Sequence, residues 1–318
     1  MSTKNEVLAL LFNHPNEYLS GQVMAEQLHV SRGAIWKAIK ALEKDGYSIE
    51  AITNKGYSLK NNQDILSKEG IEKYLTVECD LHVEEEVTST NAILVKKATE
   101  GEKEGYILIA GKQTKGKGRV GHTFYSPRSS GIYMSILLRP ALTPMEATNI
   151  TSMAAVSACE AIEKVGVKAE IKWINDIFVD KKKCCGILTE AAISMETKMM
   201  DYVVMGIGLN VYEPDGGFPE DIQNIAGSIL KERRVNGRNE LAGYFINSFM
   251  NYYHSFNKKE YYDAYKEHSM VLGKEVTVTM NGKLKKVFAK DIDENFELII
   301  IDDGVEKTVS SGEVHIKL

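Results

Sequence analysis

The sequence predicts an α+β chain of several domains: short helices with a β-ribbon, then a large mixed α/β region, then a small all-β barrel. Three observations carry that expectation. Apolar residues repeat at helical spacing early in the chain, strand-like runs alternate with helical ones in its middle, and short strands separated by tight-turn dipeptides close it. The expected divisions are 1–62, 63–268 and 269–318, in line with 318 residues at roughly 150 residues per domain. With 43% hydrophobic and 26% charged residues the chain can bury a core, which excludes disorder. Its 39 Lys+Arg against 44 Asp+Glu give a net charge of -5, which argues against a non-specific coat on nucleic acid.

No run of ~18 apolar residues is present, so no membrane helix is expected, and the N-terminus lacks the apolar stretch of a signal peptide. The cysteines are Cys79, Cys159, Cys184 and Cys185. The last two are adjacent, a spacing that ordinary disulfide geometry disfavours, and no Cys-x-x-Cys or Cys/His zinc spacing occurs. A reduced, cytoplasmic protein is expected.

In the first segment, Gly21 to Leu28 reads as a short helix and His29-Val30 as a tight connection. Ser31 then stands at the N-cap of a second helix, Arg32 to Leu42. Its Ile35, Ile39 and Leu42 share one stripe, while Lys37, Lys40 and Lys44 repeat on another face. Tyr47 to Leu59 reads as two strands joined through Thr53-Asn54-Lys55-Gly56. Together these make a winged helix-turn-helix. A solvated helix face is the plain reading of the lysines. Against it, residues 31–60 hold six basic and three acidic side chains, a net of +3 inside an acidic chain. The candidates to face DNA are Gln22, Ser31, Arg32, Trp36, Lys37, Lys40 and Lys55. One such unit binds weakly, so a dimer on a two-part operator is expected.

The middle segment has strand-like runs at Tyr106 to Ala110, Gly131 to Leu138 and Tyr202 to Gly206, and a helical run at Met145 to Lys164. Tyr252, Tyr253, Tyr261, Tyr262 and Tyr265 read as a helix packing aromatic rings. Further on, Glu275 to Met280 and Leu284 to Ile292 flank Asn281-Gly282, a type I′ hairpin signal, and Asp303-Gly304 repeats the device between Glu297 to Ile301 and Val305 to Val309.

The candidate chemistry begins with an absence. No acidic residue lies between Glu104 and Glu146, whereas Lys112, Lys115, Lys117, Arg119, Arg128 and Arg139 do. Four of these cations sit among the glycines of the stretch from Lys112 to His122. Glycine admits close approach of backbone to ligand and the cations favour an anion, so the stretch reads as a phosphate- or carboxylate-binding loop. A solvated basic loop is the alternative. Gly116-x-Gly118-x-x-Gly121 has dinucleotide-turn spacing, but strand-like sequence follows it and no acid occurs before Glu146. Gly111-x-x-x-x-Gly116-Lys117 imitates a P-loop, yet Gly118 replaces the Ser/Thr. A second constellation, Lys172-Trp173-Ile174-Asn175-Asp176 and then Lys181 to Glu190, reads as strand, charged turn, strand. Gly206-Ile207-Gly208-Leu209-Asn210-Val211 reads as a strand that ends in glycines.

Taken with Ser89-Thr90-Asn91, with Gln113 ahead of the basic loop, and with Lys183-x-x-Gly186-Ile187-Leu188-x-Glu190, these motifs resemble biotin protein ligases of the kind that double as biotin operon repressors. The resemblance covers almost the whole chain. It implies a central catalytic domain with a class II synthetase-like sheet and a C-terminal SH3-like β-barrel. It also implies that Ser89, Thr90 and Gln113 hydrogen-bond the ureido ring of biotin, with Asn91, Gly118 and Gly186 in the same pocket. Lys117, Arg119 and Lys183 would gather the biotin carboxylate and the ATP α-phosphate. Lys172, Asn175, Asp176 and Asn210 would lie toward the Mg2+-nucleotide, and Phe124 toward adenine. The implied product, biotinoyl-5′-AMP, would pass biotin to a lysine of a biotin carboxyl-carrier protein and would favour a homodimer on operator DNA, with no membrane involved.

Two departures from the family pattern stand out. Lys117 and His122 occupy positions that are usually arginine, and Ile174 replaces the usual proline. Lysine keeps the charge and loses the bidentate fork, which bears on adenylate affinity. The alternatives are a lipoate or octanoate ligase, and a winged-helix regulator that only senses a metabolite. The polar Ser89-Thr90 and Gln113 set suits a ureido head better than an aliphatic chain.

Overall fold

Serines start the helices of the N-terminal region. In the computed structural model, which describes residues 2–14, 17–44, 47–59, 64–144, 146, 148–255, 258–280, 283–310, 312 and 314–315, the chain divides into two compact units. The first is Met1–Leu75 with Glu232–Gly243, and the second is Thr76–Lys231 with Tyr244–Leu318. Ser2 caps α1 (Thr3–Asn13) and Ser20 caps α2 (Gly21–Gln27). Ser31 Oγ accepts the Ala34 N–H at 3.2 Å ahead of α3 (Arg32–Lys44), as the spacing predicts. Val7, Leu8 and Leu11 of α1 pack with Met24 of α2 and with Ile35, Ile39 and Leu42 of α3 in one buried core. The wing is β1 (Ile49–Ile52) paired antiparallel with β2 (Gly56–Leu59). Gly56 has φ +113, and a Cβ there would lie 2.1 Å from the Leu19 carbonyl oxygen, so glycine is required. Helix α4 (Lys68–Glu72), capped by Ser67, completes the unit together with the start of α7 (Gly237–Ser255).

The second unit is built on a seven-stranded mixed sheet. Its strands are β3 (Asp80–Glu84), β4 (Tyr106–Ala110), β5 (Gly131–Leu138), β6 (Glu170–Lys172), β7 (Asp176–Val179), β8 (Lys182–Ile193) and β9 (Met200–Asn210), in the order β3-β4-β5-β9-β8-β7-β6. Only β3 and β4 are parallel; their crossover is α5 (Thr90–Thr99). Leu94 and Ala98 of α5 cover Leu108, Leu137 and Val204 on one face. Helix α6 (Thr148–Lys164) serves the other face, where Thr151 Oγ1 meets Thr189 Oγ1 at 2.8 Å. The expected start of α6, Met145, lies outside the described residues. The tyrosines expected on a single helix occupy two, α7 and α8 (Lys258–His268). The run expected to stop near Gly206 continues to Asn210, because Gly206 and Gly208 are paired with β5 on one side and β8 on the other.

The C-terminal strands β10 (Lys274–Met280), β11 (Lys283–Ile292), β12 (Leu298–Asp302), β13 (Val305–Val309) and β14 (Val314–His315) form an antiparallel sheet in the order β13-β12-β11-β10-β14. Met280 pairs with Lys283, although the predicted turn Asn281-Gly282 itself lies outside the described residues. Among the described residues no ladder joins β13 to β14, so the expected barrel is an open sheet here. Trp173 Nε1 donates to the Phe296 carbonyl at 2.8 Å, and Tyr261 stacks on the Phe296 ring. Among the described residues no helix is long and apolar enough to cross a membrane.

Candidate active site

Pairing across the central sheet places Ser135, Gly206 and Leu188 side by side on one face, and Tyr133, Gly208 and Gly186 beside them. The N-terminus of α5 arrives over this floor. A Cβ on Gly206 would lie 1.9 Å from Asn91 Oδ1, and one on Gly208 would lie 2.4 Å from the Phe124 ring. The two glycines therefore clear the floor for Asn91 and Phe124. Ser89 caps α5 through the Ala92 N–H. Gln113 Oε1 accepts the Thr90 N–H at 2.8 Å and lies 3.1 Å from Thr90 Oγ1, while Gln113 Nε2 donates to Ser126 Oγ at 3.1 Å. Ser89, Thr90, Asn91, Gln113, Lys117, Phe124 and Gly186 all line one cleft.

The basic stretch folds as a tight hairpin beside that cleft. Phe124 N–H donates to the Gly116 carbonyl, Gly118 N–H donates to the His122 carbonyl at 2.7 Å, and Arg119–Gly121 forms a single 3-10 turn. Gly121 has φ +77, whereas Gly116 is demanded by space: a Cβ there would sit 2.4 Å from the Phe124 carbonyl oxygen. Three of the cations expected at the site each hold an oxygen. Lys117 Nζ lies 3.0 Å from Glu190 Oε1, Arg119 donates to Asn175 Oδ1 at 2.7 Å, and Lys183 Nζ lies 2.6 Å from Asp176 Oδ1.

Lys183 faces this side of the sheet because of a β-bulge. Asp176 pairs with Gly186 and Phe178 with Lys183, so β8 carries one extra residue between them. Three positions separate Lys183 from Gly186, an odd spacing that a regular strand would put on opposite faces. The extra residue restores Lys183 to the Gly186 face, where a Cβ on Gly186 would be 3.5 Å from its Nζ. The turn before it, Asp180-Lys181, has φ +47 and +66, the mark of a two-residue type I′ hairpin. Lys172 pairs with Asp176 on the edge strand and sets its ammonium 5.6 Å from the Phe178 ring centre. Asn210 shares the face of Gly206 and Gly208 at the end of β9, and its carbonyl accepts the Ile229 N–H. The Trp173–Ile174 peptide is cis.

Three of the four thiols are buried. Burial pushes Cys184 up to about 12, and it raises Cys159 and Cys185 well above the usual thiol range. Among the described residues no three His, Cys, Asp or Glu side chains gather as a metal cage.

In the first unit, Ser31, Arg32, Trp36, Lys37 and Lys40 are all exposed along α3, opposite the buried Ile35, Ile39 and Leu42. Trp36 is 54% exposed, unusual for so large an apolar side chain. Lys40 meets Glu43 at 2.6 Å, a surface pair worth little, and Gln22 Nε2 donates to Glu26 at 2.6 Å. Lys55 in the wing lies 5.9 Å from the Tyr18 ring centre.

Family models match three parts of the chain in order: an HTH domain at residues 3–58, the biotin/lipoate A/B protein ligase family at 83–210, and the biotin protein ligase C-terminal domain at 271–316. The bifunctional ligase/repressor BirA of Bacillus subtilis (strain 168) is 35% identical over 230 residues, 71% of this chain and 70% of that one. The chain belongs to the biotin protein ligase family. The bifunctional ligase/repressor BirA of Escherichia coli (strain K12) is 27% identical over 317 residues, 98% of this chain and 96% of that one. The fold is also that of the biotin protein ligase from Aquifex aeolicus solved in complex with biotin and ATP, with a TM-score of 0.60 at 24% identity, covering 74% of this chain and 97% of that one.

Two residues that support the cleft of this ligase from behind carry no role in the sequence reading. Glu190 ties the basic loop to α5, accepting from Lys117 on one oxygen and from Asn91 Nδ2 on the other. Its signal was the alternation Gly186, Leu188, Glu190 along one strand face. Ser135 is fully buried and meets both Thr90 and Asn91. Its signal was a lone serine in the apolar run from Ile132 to Leu138.

Proposed function

We propose that the chain is an ATP-dependent biotin ligase that forms biotinoyl-5′-AMP, passes biotin to a lysine of a biotin carrier protein, and represses transcription through its helix-turn-helix unit. The observation that carries this reading is the polarity of the cleft. It is lined by a hydrogen-bonded set of neutral groups (Ser89, Thr90, Asn91 and Gln113) and by Lys117, while Lys183 lies against the lining Gly186 and Arg119 belongs to the adjoining turn, so that the three cations make its other end in this reading. A ureido ring buried without partners is costly, and the neutral end supplies directed ones. The cationic end lowers the repulsion between a carboxylate and an α-phosphate. A carboxylate oxygen attacks phosphorus there, the bond to pyrophosphate breaks, and positive charge stabilises the oxygens on which negative charge accumulates. In the second step a lysine amine attacks the acyl carbon and AMP leaves.

Each cation already holds a neighbouring oxygen, so the substrates take over contacts that Glu190, Asn175 and Asp176 make in their absence. Asn175 and Asp176 offer hard oxygen donors but a single carboxylate, which fits an Mg2+ ion carried largely by nucleotide phosphates. When bound, that ion would neutralise phosphate charge. Phe124, Lys172 and Asn210 are assigned to the nucleotide, Gly118 and Gly186 to close approach of backbone, and Gln22, Ser31, Arg32, Trp36, Lys37, Lys40 and Lys55 to DNA. The divisions 1–62, 63–268 and 269–318 serve DNA, catalysis and an SH3-like accessory domain in this reading.

The test is pyrophosphate release on adding biotin and Mg-ATP. A burst that depends on biotin supports the ligase; binding without pyrophosphate leaves only a sensor. The adenylate should also favour a homodimer with higher operator affinity, a population shift. Sedimentation and operator gel shifts with and without biotinoyl-AMP check this, and no change in either would remove the coupling.

A further inference from the structure

A third residue behind the cleft, Ser126, is 5% exposed and lies 13 residues beyond Gln113, with which it pairs twice. The Gln113 backbone N–H donates to the Ser126 carbonyl at 3.1 Å, and Gln113 Nε2 donates to Ser126 Oγ at 3.1 Å. Ser126 Oγ donates in turn to the Phe124 carbonyl at 3.0 Å. A Cβ on Gly116 would lie 2.6 Å from Ser126 Oγ and 3.2 Å from Gln113 Nε2, so the glycine leaves room for this pair.

Two backbone groups fix which way the Gln113 carboxamide points. The Phe124 carbonyl can only accept, so the hydroxyl proton of Ser126 is committed to it, and Ser126 Oγ is left as an acceptor for Nε2. At the other end the Thr90 N–H can only donate. It is one of the donors that open α5 without an intrahelical partner, and Gln113 Oε1 takes it at 2.8 Å. Thr90 Oγ1 donates to the same oxygen at 3.1 Å. Turning the amide over would set Nε2 against an N–H, and Oε1 against an oxygen whose proton is already used. Two hydrogen bonds would give way to two repulsions.

We propose that Ser126 is a positioning residue that presents Gln113 to the ureido ring of biotin, by holding the carboxamide with Oε1 toward α5 and Nε2 toward the basic loop. Gln113 and Thr90 line the cleft, and Ser126 is buried behind Gln113. A cyclic urea carries its donors and its acceptor at fixed places, so it is read best by a wall whose own donors and acceptors do not turn over. With the serine hydroxyl removed, Nε2 loses its acceptor and the Gln113 side chain loses one of its two anchored ends. Binding then has to order Gln113 as well as the ligand. The inference rests on the biotin reading and adds to it a group that acts only through Gln113.

The test is the rate of the pyrophosphate burst, measured on the full chain with biotin and Mg-ATP varied separately. Ser126→Ala deletes the hydroxyl, and Ser126→Cys nearly keeps the volume while offering only a weak acceptor. Both should raise the biotin concentration at half-maximal rate about 3- to 10-fold, the loss of roughly one neutral hydrogen bond, while the limiting rate and the ATP dependence stay within about twofold. Made on top of Gln113→Ala, the Ser126→Ala change should alter the rate at low biotin by less than about twofold, because the group through which it acts is already gone. A packing role would instead spare the Cys variant. A wild-type biotin dependence in Ser126→Cys, an equal shift in the ATP dependence, or an undiminished effect on top of Gln113→Ala would each overturn the proposal. If the wild-type chain gives no biotin-dependent burst, the ligase reading fails and takes this inference with it.

Discussion

Asp64 and Arg238 in the first unit, and Ser135 with Asn91 and Thr90 in the second, are two buried polar networks with different ends. In the first, Arg238 donates its backbone N–H and Nε to the two Asp64 carboxylate oxygens at 3.0 and 2.9 Å, and its guanidinium also reaches the Asp64 carbonyl. Asn239 adds a bond to the Ile65 carbonyl and accepts the Ser67 N–H. The partners are all protein groups, so the network staples the start of α7 to the segment ahead of α4. The cleft network uses similar chemistry, but it ends at Thr90 and Gln113, which line the cleft. A polar network enclosed by the protein stabilises the fold, whereas one that reaches a cleft wall has members placed where a ligand could meet them.

The comparison can be broken from either side. The largest effect is expected at the closed network. Asp64→Ala strands a guanidinium whose side chain is 6% exposed, and unfolding in urea should show a loss of about 3–5 kcal/mol. A loss below about 1 kcal/mol would mean that the pair staples nothing. At the open network, Lys183→Ala removes a cation from the reacting oxygens and leaves Asp176 unpaired, so pyrophosphate release should fall about 10²- to 10³-fold. Full activity would remove Lys183 from the mechanism. Gly206→Ala sharpens the contrast, because the added methyl must evict Asn91 from the floor. Biotin titration calorimetry should then show affinity weakened about 10- to 100-fold, as overpacking of this size predicts. The smallest effect belongs to the exposed face of α3, where no buried network exists to disrupt. Lys37→Ala should lower the salt dependence of operator binding by about one unit of slope, with pyrophosphate release unchanged.

Much of the second unit was readable because its signals are local. Tyr106 to Ala110 and Gly131 to Leu138 are strands at the expected bounds, and the cation-rich stretch does lie beside the cleft. The strand expected to stop at Gly206 fell short, since β9 runs on through Gly208 to Asn210 and ends within the last motif. Glycine is a poor strand former, yet pairing on both sides overrides propensity in a central strand. The barrel expectation rested on strand number and turn spacing, which specify hairpins and do not say whether the last strand meets the fourth.

The sequence by itself determined what depends on near neighbours: the Ser31 cap, the charged turn between two strands, the amphipathic α3, and an acid-free cationic stretch. Only the tertiary structure decided which face Lys183 takes, because one extra residue in β8 reverses it, and which groups Ser135 meets, because its partners come from a distant segment. Caps and turns are set by bonds within a few residues. The direction of a side chain on a sheet, and the groups it meets there, are set by register with strands that the local sequence does not name.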